Sequence, residues 1–145
     1  MKTIKLIILA ILFVSAGSVV NSLSAQENLN KWVKKCESIS SVETSLISYK
    51  NPETKKLERE TVRITFADND ELRKDLFAAF EKDKANAYME STRKVDGEVK
   101  PDYCRFYDNK GQLETRYSIV FKKEGKVNKI IVTKQVFHGP LEPLA

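Results

Sequence analysis

Within the segment 57–66, residues 61–66 alternate polar and apolar side chains, and this pattern constrains the fold more than any other feature of the sequence. Val62, Ile64 and Phe66 occupy every second position, with polar residues between them. Successive side chains of a β-strand point to opposite faces of its sheet, so a period of two predicts a strand with one covered, apolar face. The rest of the chain must supply the cover.

Two segments have the helical spacing that provides such a cover. The first contains apolar residues at intervals of three and four positions: Leu29, Trp32, Val33 and Cys36. This spacing predicts a short amphipathic helix over residues 28–39. A second helix is predicted over residues 69–86, with Asp68 as its N-cap and Glu71 three residues later, the arrangement of a capping box.

The other strand-like segments are rich in β-branched and aromatic residues. They cover residues 42–49, 87–95, 99–107, 113–123 and 127–137. Short connections with Pro, Asn, Asp or Gly favour antiparallel hairpins. The predicted fold class is α+β, an antiparallel sheet with two helices on one face and the order α-β-β-α-β-β-β-β. Residues 26–137 are predicted to form this single domain, and residues 138–145 an irregular tail.

The N-terminal segment has the composition of a secretory signal peptide. Lys2 and Lys5 precede an apolar run at residues 6–14, which is too short to span a membrane. We expect residues 1–25 to be cleaved after Ala25. The mature protein then reaches the periplasm or the extracellular medium without a membrane association. An uncleaved membrane anchor is the alternative.

The charge pattern and the mean hydropathy each exclude one class of function. Lys and Arg number 25 and Asp and Glu 20, a net charge of +5, and two of the lysines lie in the predicted signal peptide. Charges of opposite sign alternate through residues 55–60 and 71–75, as on an ordinary solvated surface, so we expect no nucleic-acid partner. The mean hydropathy of -0.40 excludes a multi-spanning membrane protein.

The sequence lacks the usual catalytic and metal-binding signatures. Its single histidine is His138, and it contains no Cys-x-x-Cys, His-Glu-x-x-His or Gly-x-Ser-x-Gly pattern. Residues 68–70 resemble the start of a calcium loop, but Leu72 and Arg73 stand where that loop needs an oxygen ligand and a glycine. We therefore expect no metal site, no cofactor and no enzymatic activity.

The two cysteines leave two alternatives open. Cys36 lies on the apolar stripe of the first helix, and Cys104 shares a strand face with Phe106, so both point between helices and sheet. An even number of cysteines in an exported protein favours a disulfide, which would contribute about 3–5 kcal/mol. Otherwise they are two buried thiols that pack as small apolar groups.

Strand alternation also predicts a binding surface on the face away from the helices. If Cys104, Phe106 and the apolar residues of 61–66 face the helices, arginines and tyrosines point the other way. Tyr88 joins them if Ala87 and Met89 face inward. The predicted surface consists of Arg59, Arg63, Tyr88, Tyr103, Arg105 and Tyr107. Tyr and Arg are enriched at protein interfaces. An ordinary exposed face is the alternative.

Three short segments carry a resemblance to known folds. They are Lys35-Cys36-Glu37, Leu57-Glu58-Arg59-Glu60 and Ala79-Phe80-Glu81-Lys82-Asp83-Lys84. With the element order, they resemble a family of uncharacterised secreted proteins of Gram-negative gut anaerobes, and small exported folds of the PepSY-like and β-lactamase-inhibitor-protein-like kinds. The resemblance implies export and a small α+β fold, and it transfers no catalytic residue.

These observations lead to one expected function and two alternatives. We expect an exported, non-enzymatic domain that binds another protein through its open sheet face, as an inhibitor or an envelope accessory factor. The first alternative is a small-molecule-binding, glycan-binding or hydrolytic protein with a pocket between sheet and helices and Glu90 or Asp102 as a base. The second is a self-associating envelope protein in which an exposed edge strand at residues 127–137 pairs with a neighbour.

Overall fold

The computed structural model describes residues 25–108 and 113–138. The predicted signal peptide, apart from Ala25, and the predicted tail beyond His138 lie outside the described residues. The helices are α1 (Glu27–Glu37) and α2 (Asp70–Asp83), the second followed by a short 3-10 helix (Lys84–Asn86). The strands are β1 (Glu43–Lys50), β2 (Leu57–Ala67), β3 (Met89–Val95), β4 (Glu98–Tyr107), β5 (Leu113–Glu124) and β6 (Val127–His138). This confirms the predicted α+β class and element order.

The six strands form one antiparallel sheet in the order β1-β2-β6-β5-β4-β3. β6 lies between β2 and β5, and its pairing with β2 extends from Phe137 opposite Arg59 to Lys129 opposite Ala67. The prediction that residues 127–137 form an exposed edge is therefore wrong, because neighbouring strands pair with both sides of β6. The two edges of the sheet are β1 and β3.

One apolar core joins both helices to one face of the sheet. All four residues of the predicted α1 stripe are buried, and the ring of Trp32 lies 5.8 Å from the ring of Phe66 on β2. The alternation in β2 is confirmed, since Ile64 and Phe66 are buried whereas Arg63 is exposed. The opposite face of the sheet is uncovered in the part of the chain that the structure describes, and we call it the open face.

The start of α2 differs from the prediction by one residue. Its N-cap is Asn69, whose Oδ1 accepts a hydrogen bond from the backbone N–H of Leu72 at 3.0 Å. Asp68, expected in this role, forms an ion pair with Arg73 instead. Asn and Asp are about equally good N-caps, so the sequence alone does not decide between the two neighbours.

The first turn of α1 is capped from α2. No side chain caps α1 locally, and Asp83, the last residue of α2, accepts hydrogen bonds from the backbone N–H groups of Leu29 at 2.7 Å and Asn28 at 3.3 Å. The Asn28 side chain donates a third bond at 2.8 Å. Asp83 is only 1% exposed, and a buried carboxylate requires such donors. The positive end of the α1 dipole also favours it, so Asp83 fixes one helix against the other.

A partly buried polar cluster ties α1 to the sheet. Asn30 Oδ1 accepts hydrogen bonds from the hydroxyl of Tyr117 on β5 and from Lys134 Nζ on β6, the latter at 2.9 Å. Burial lowers the pKa of Lys134 below its usual range, because desolvation disfavours the charged ammonium. Trp32 Nε1 adds a bond to the carbonyl of Leu72 at 3.1 Å. The polar groups of α1 thus find partners in both α2 and the sheet.

Cys36 and Cys104 are two free, buried thiols in the structure, and no disulfide joins them. Cys104 pairs across the sheet with Tyr117, whose hydroxyl reaches the first half of α1 at Asn30, whereas Cys36 lies in the last turn of α1. The structure therefore agrees with the second alternative.

Removing the carboxylate of Asp83 should destabilise the fold strongly. Asp83→Ala leaves the N–H groups of Asn28 and Leu29 without their acceptor in a buried site, and we expect a loss of about 2–4 kcal/mol in the free energy of unfolding. Urea denaturation followed by circular dichroism measures it. The control is Asp75→Ala, which removes an exposed ion pair with Lys35 and should change stability much less. Equal effects of the two substitutions would contradict the capping role.

The thiols should be unreactive in the folded protein and both available after unfolding. Burial raises the pKa of Cys36 to about 11 and that of Cys104 to about 12, so at pH 8 about one Cys36 side chain in a thousand is a thiolate. We expect negligible reaction with a thiol reagent in the native state and two equivalents after denaturation without reductant. Uptake of no reagent after denaturation would show a disulfide and contradict the structure.

Candidate protein-binding face

The predicted site residues share the open face but form two groups. Arg59 and Arg63 lie on β2, whereas Tyr103, Arg105 and Tyr107 lie on β4. β6 and β5 separate these strands, and three strand spacings amount to about 14 Å. The two groups of predicted residues therefore form one surface only together with residues of the two strands between them, β6 and β5.

Tyr88 lies beside the open face, but its neighbour Met89 does not face the helices as predicted. Met89 was expected to face the helices, but it pairs with Arg105 and therefore shares the open face, since paired residues project to the same side. Tyr88 precedes β3, and its ring meets the ring of Tyr107 edge-on at 5.1 Å. The backbone N–H of Tyr88 donates to the carbonyl of Arg105 at 2.7 Å. Tyr88 thus extends the β4 group to the edge of the sheet.

The central strands supply residues that sequence reasoning missed. Phe137 on β6 lies opposite Arg59 and also opposite Glu114 of β5, while Arg116 of β5 lies opposite Arg105. Tyr49 of β1 lies opposite Arg59 on its other side. Together these residues form a continuous line across five strands, which we call the Arg–aromatic row: Tyr49, Arg59, Phe137, Arg116, Glu114, Arg105 and Tyr103.

One half of the Arg–aromatic row is held by stacking. The guanidinium carbon of Arg59 lies 4.1 Å from the centroid of the Tyr49 ring and 6.0 Å from that of Phe137. Arg116 lies over the same Phe137 ring at 4.3 Å. Arginine suits such contacts, because its planar, weakly hydrated cation is attracted to the faces of aromatic rings. Phe137 is therefore in contact with arginines from two different strands.

The other half of the row is held by a carboxylate. Glu114 is only 7% exposed and forms ion pairs with Arg116 and with Arg105, whose Nε lies 3.6 Å from Glu114 Oε2. Arg105 Nε also donates a hydrogen bond to the hydroxyl of Tyr103 at 3.0 Å, and this bond raises the pKa of Arg105 further. A buried carboxylate requires such compensation. Glu114 therefore orients two arginines at the centre of the face.

Arg63 lies on the open face outside the row. It is exposed and stands between Ser45 of β1 and Thr133 of β6 in the register of the sheet. The two residues directly beside it in the register are uncharged. Arg63 adds positive charge to a face whose row already contains three arginines and one carboxylate.

Two pockets of about 230 Å³ each lie away from the row. One is a groove between α1 and α2, lined by Trp32, Asp75 and Lys35 among others. The other adjoins the β5–β6 turn and includes Phe121 and four lysines at its wall and rim. Neither pocket includes a residue of the Arg–aromatic row. Glu90 and Asp102, considered as bases, line neither pocket, and Asp102 forms an ion pair with Arg93 at 2.9 Å.

The described residues contain neither a cluster suited to a metal ion nor a helix suited to span a membrane. Among residues 25–108 and 113–138, no group of three or more His, Cys, Asp or Glu side chains is arranged to hold a metal ion. No helix in that part of the chain has the length and apolar character needed to cross a membrane.

A signal for the missed residues was present in the sequence. In β5, buried Thr115, Tyr117 and Ile119 alternate with Arg116 and Ser118, the same period of two that identified the faces of β2 and β4. Extending this parity to β5 would have placed Arg116 on the open face. The contact of Arg116 with Phe137 depends on the strand order, which the alternation does not specify.

Comparison with known proteins identifies a family. The family model described as a domain of unknown function, DUF5024, matches residues 26–132, more than half of the chain. No curated protein and no solved structure matches the chain. The expectation of an uncharacterised family is confirmed, whereas no PepSY or inhibitor homologue is found. The extent of the family match shows that the chain belongs to the DUF5024 family.

Proposed function

We propose that this chain is an exported, non-enzymatic binding domain whose open face binds an acidic surface of another protein. The observation that carries the proposal is the Arg–aromatic row, in which three arginines are held in fixed positions on the uncovered side of the sheet. The domain would act as an inhibitor or as an accessory factor of the cell envelope. Export rests on the signal-peptide pattern at residues 1–25.

The first support is that the arginines are already ordered. Binding normally costs about 0.5–1.5 kcal/mol for each flexible side chain that an interface immobilises. Arg59 is held by Tyr49, Arg116 by Phe137, and Arg105 by Glu114. A partner that meets these side chains loses less conformational entropy than one that must order free arginines. Stacked arginines and tyrosines are also the residue types that dominate interface energetics.

The second support is the charge of the face. The row combines three guanidinium groups with the single carboxylate of Glu114, and Arg63 adds a fourth positive charge nearby. Arginine stays protonated throughout the physiological pH range. Such a surface accelerates encounter with an acidic partner and opposes a basic one. The complementary chemistry is a cluster of Asp and Glu side chains on a protein surface.

The third support is the shape of the site. The row crosses five neighbouring strands of one sheet, so it extends over about 20 Å. A surface of this width matches the side of a protein–protein interface of standard size. A small molecule would contact only a fraction of the row. The two described pockets contain none of its residues.

Removing side chains of the open face should abolish capture of the partner. The purified protein is immobilised and exposed to envelope and culture fractions of its native host, and bound proteins are identified by mass spectrometry. The variant combines Arg63→Ala, Arg105→Ala and Tyr107→Ala, which removes charge and aromatic area from both groups on the face. We expect the identified partner to bind this variant at least about tenfold more weakly, since interface arginines and tyrosines each contribute about 1 kcal/mol or more.

The matched control removes the same amount of positive charge elsewhere. Lys34→Ala combined with Lys74→Ala alters exposed positions on α1 and α2 and should leave capture unchanged. Circular dichroism must show all variants folded. Equal capture by the wild-type protein and the triple variant would contradict the proposal. Capture of a glycan or small molecule in place of a protein, lost in the same variant, would overturn the choice of a protein partner.

Affinity for the partner should decrease with salt. Between about 50 and 500 mM salt the screening length falls about threefold, so an interface based on guanidinium–carboxylate pairs should weaken by at least about tenfold in Kd. Isothermal titration calorimetry at several salt concentrations measures the slope. An affinity independent of salt would show that apolar contacts dominate, and it would contradict the choice of an acidic partner.

A further inference from the structure

The three arginines of the Arg–aromatic row differ in what balances their charge. Glu114 forms ion pairs with Arg105 and Arg116, so these two guanidinium groups already share a carboxylate. The guanidinium of Arg59 has no ion pair and donates no hydrogen bond to another described residue, and its contacts are with two aromatic rings. The free hydrogen-bonding capacity of the row is therefore concentrated in Arg59.

The acidic residues next to Arg59 in the chain do not balance its charge. Glu58 and Glu60 project to the opposite face of the sheet, because successive side chains of a strand alternate. Glu58 accepts a hydrogen bond from the side chain of Asn51 at 3.2 Å, and Glu60 Oε2 lies 3.9 Å from His138 Nε2. On the open face the two residues paired with Arg59 are aromatic. Its positive charge thus has no carboxylate beside it among the described residues.

The surroundings of Arg59 determine which of its donors a ligand reaches. Its Nε is buried without a hydrogen-bond partner, whereas its two terminal nitrogens are not buried. An unsatisfied buried donor is costly, so contacts elsewhere must hold this side chain in place, and the Tyr49 ring at 4.1 Å from the guanidinium carbon is the nearest of them. The two terminal nitrogens of a guanidinium match the two oxygens of a carboxylate. Arg59 therefore presents a carboxylate-binding group to the solvent.

We propose that Arg59 is the residue of the open face that binds a carboxylate of the acidic partner and determines the specificity of the site. This inference rests on the proposed function, because it identifies which group of the open face recognises that partner. The aromatic rings beside the guanidinium limit the access of water, and a charge-assisted hydrogen bond is stronger where water is excluded. Arg105 and Arg116, which share the carboxylate of Glu114, supply planar contact area around it.

A capped hexaglutamate peptide is the probe that tests this inference, because it supplies carboxylates without the fold of a partner. The Nε–H signals of the arginines in proton–nitrogen NMR spectra report where the peptide binds. We expect the largest shift at Arg59. Arg59→Lys keeps the positive charge but loses the planar pair of donors, so it should raise the Kd for the peptide at least about tenfold.

The comparison variant is Arg116→Lys, which makes the same substitution at an arginine over the same Phe137 ring. Because Glu114 already neutralises Arg116, we expect the Kd to change by less than about threefold. Glu114→Gln tests the same distinction without altering an arginine. It removes the internal carboxylate and should tighten peptide binding at least about threefold, with a new shift at Arg116. Circular dichroism must show all three variants folded.

Three results would overturn the inference: equal weakening by the two lysine substitutions, peptide binding that leaves the Arg59 signal unchanged, and no binding at millimolar peptide. A failure of the proposed function looks different, since the peptide then binds at Arg59 but envelope and culture fractions yield no bound protein. Conversely, a captured protein that binds the Arg59→Lys variant as tightly as the wild-type protein would contradict this inference alone.

Discussion

The carboxylate of Asp83 is the group on which the arrangement of the two helices depends. It ends α2 and caps α1, and it is buried in the process. A buried carboxylate without donors would be strongly destabilising, and an uncapped helix N-terminus in the same place would leave its own N–H groups unsatisfied. The N–H groups at the start of α1 donate to the carboxylate of Asp83, so the helix N-terminus and the buried carboxylate satisfy each other. The pair then acts as a unit that covers one face of the sheet and leaves the opposite face free.

The open face uses the same principle for a different result. Glu114 is buried among arginines as Asp83 is buried among backbone donors. In the first case the donors are side chains that point outward, so the compensation that stabilises Glu114 also orders Arg105 and Arg116 for contact. Stacking on Tyr49 does the same for Arg59 at the other end of the row, and Arg116 also stacks on Phe137. The contacts that stabilise the fold therefore also hold the arginine side chains of the open face in position.

The sequence predicted those parts of the fold that depend on neighbours along the chain. The spacing of Trp32 and Cys36 identified the buried stripe of α1, and the alternation in β2 identified its two faces. It did not predict that β6 enters the sheet beside β2, since pairing between strands more than 60 residues apart leaves no mark in local periodicity. The contact between Arg116 and Phe137 was missed for this reason. Asp83 was missed as well, because a helix cap supplied by a residue 54 positions away looks like an ordinary surface charge.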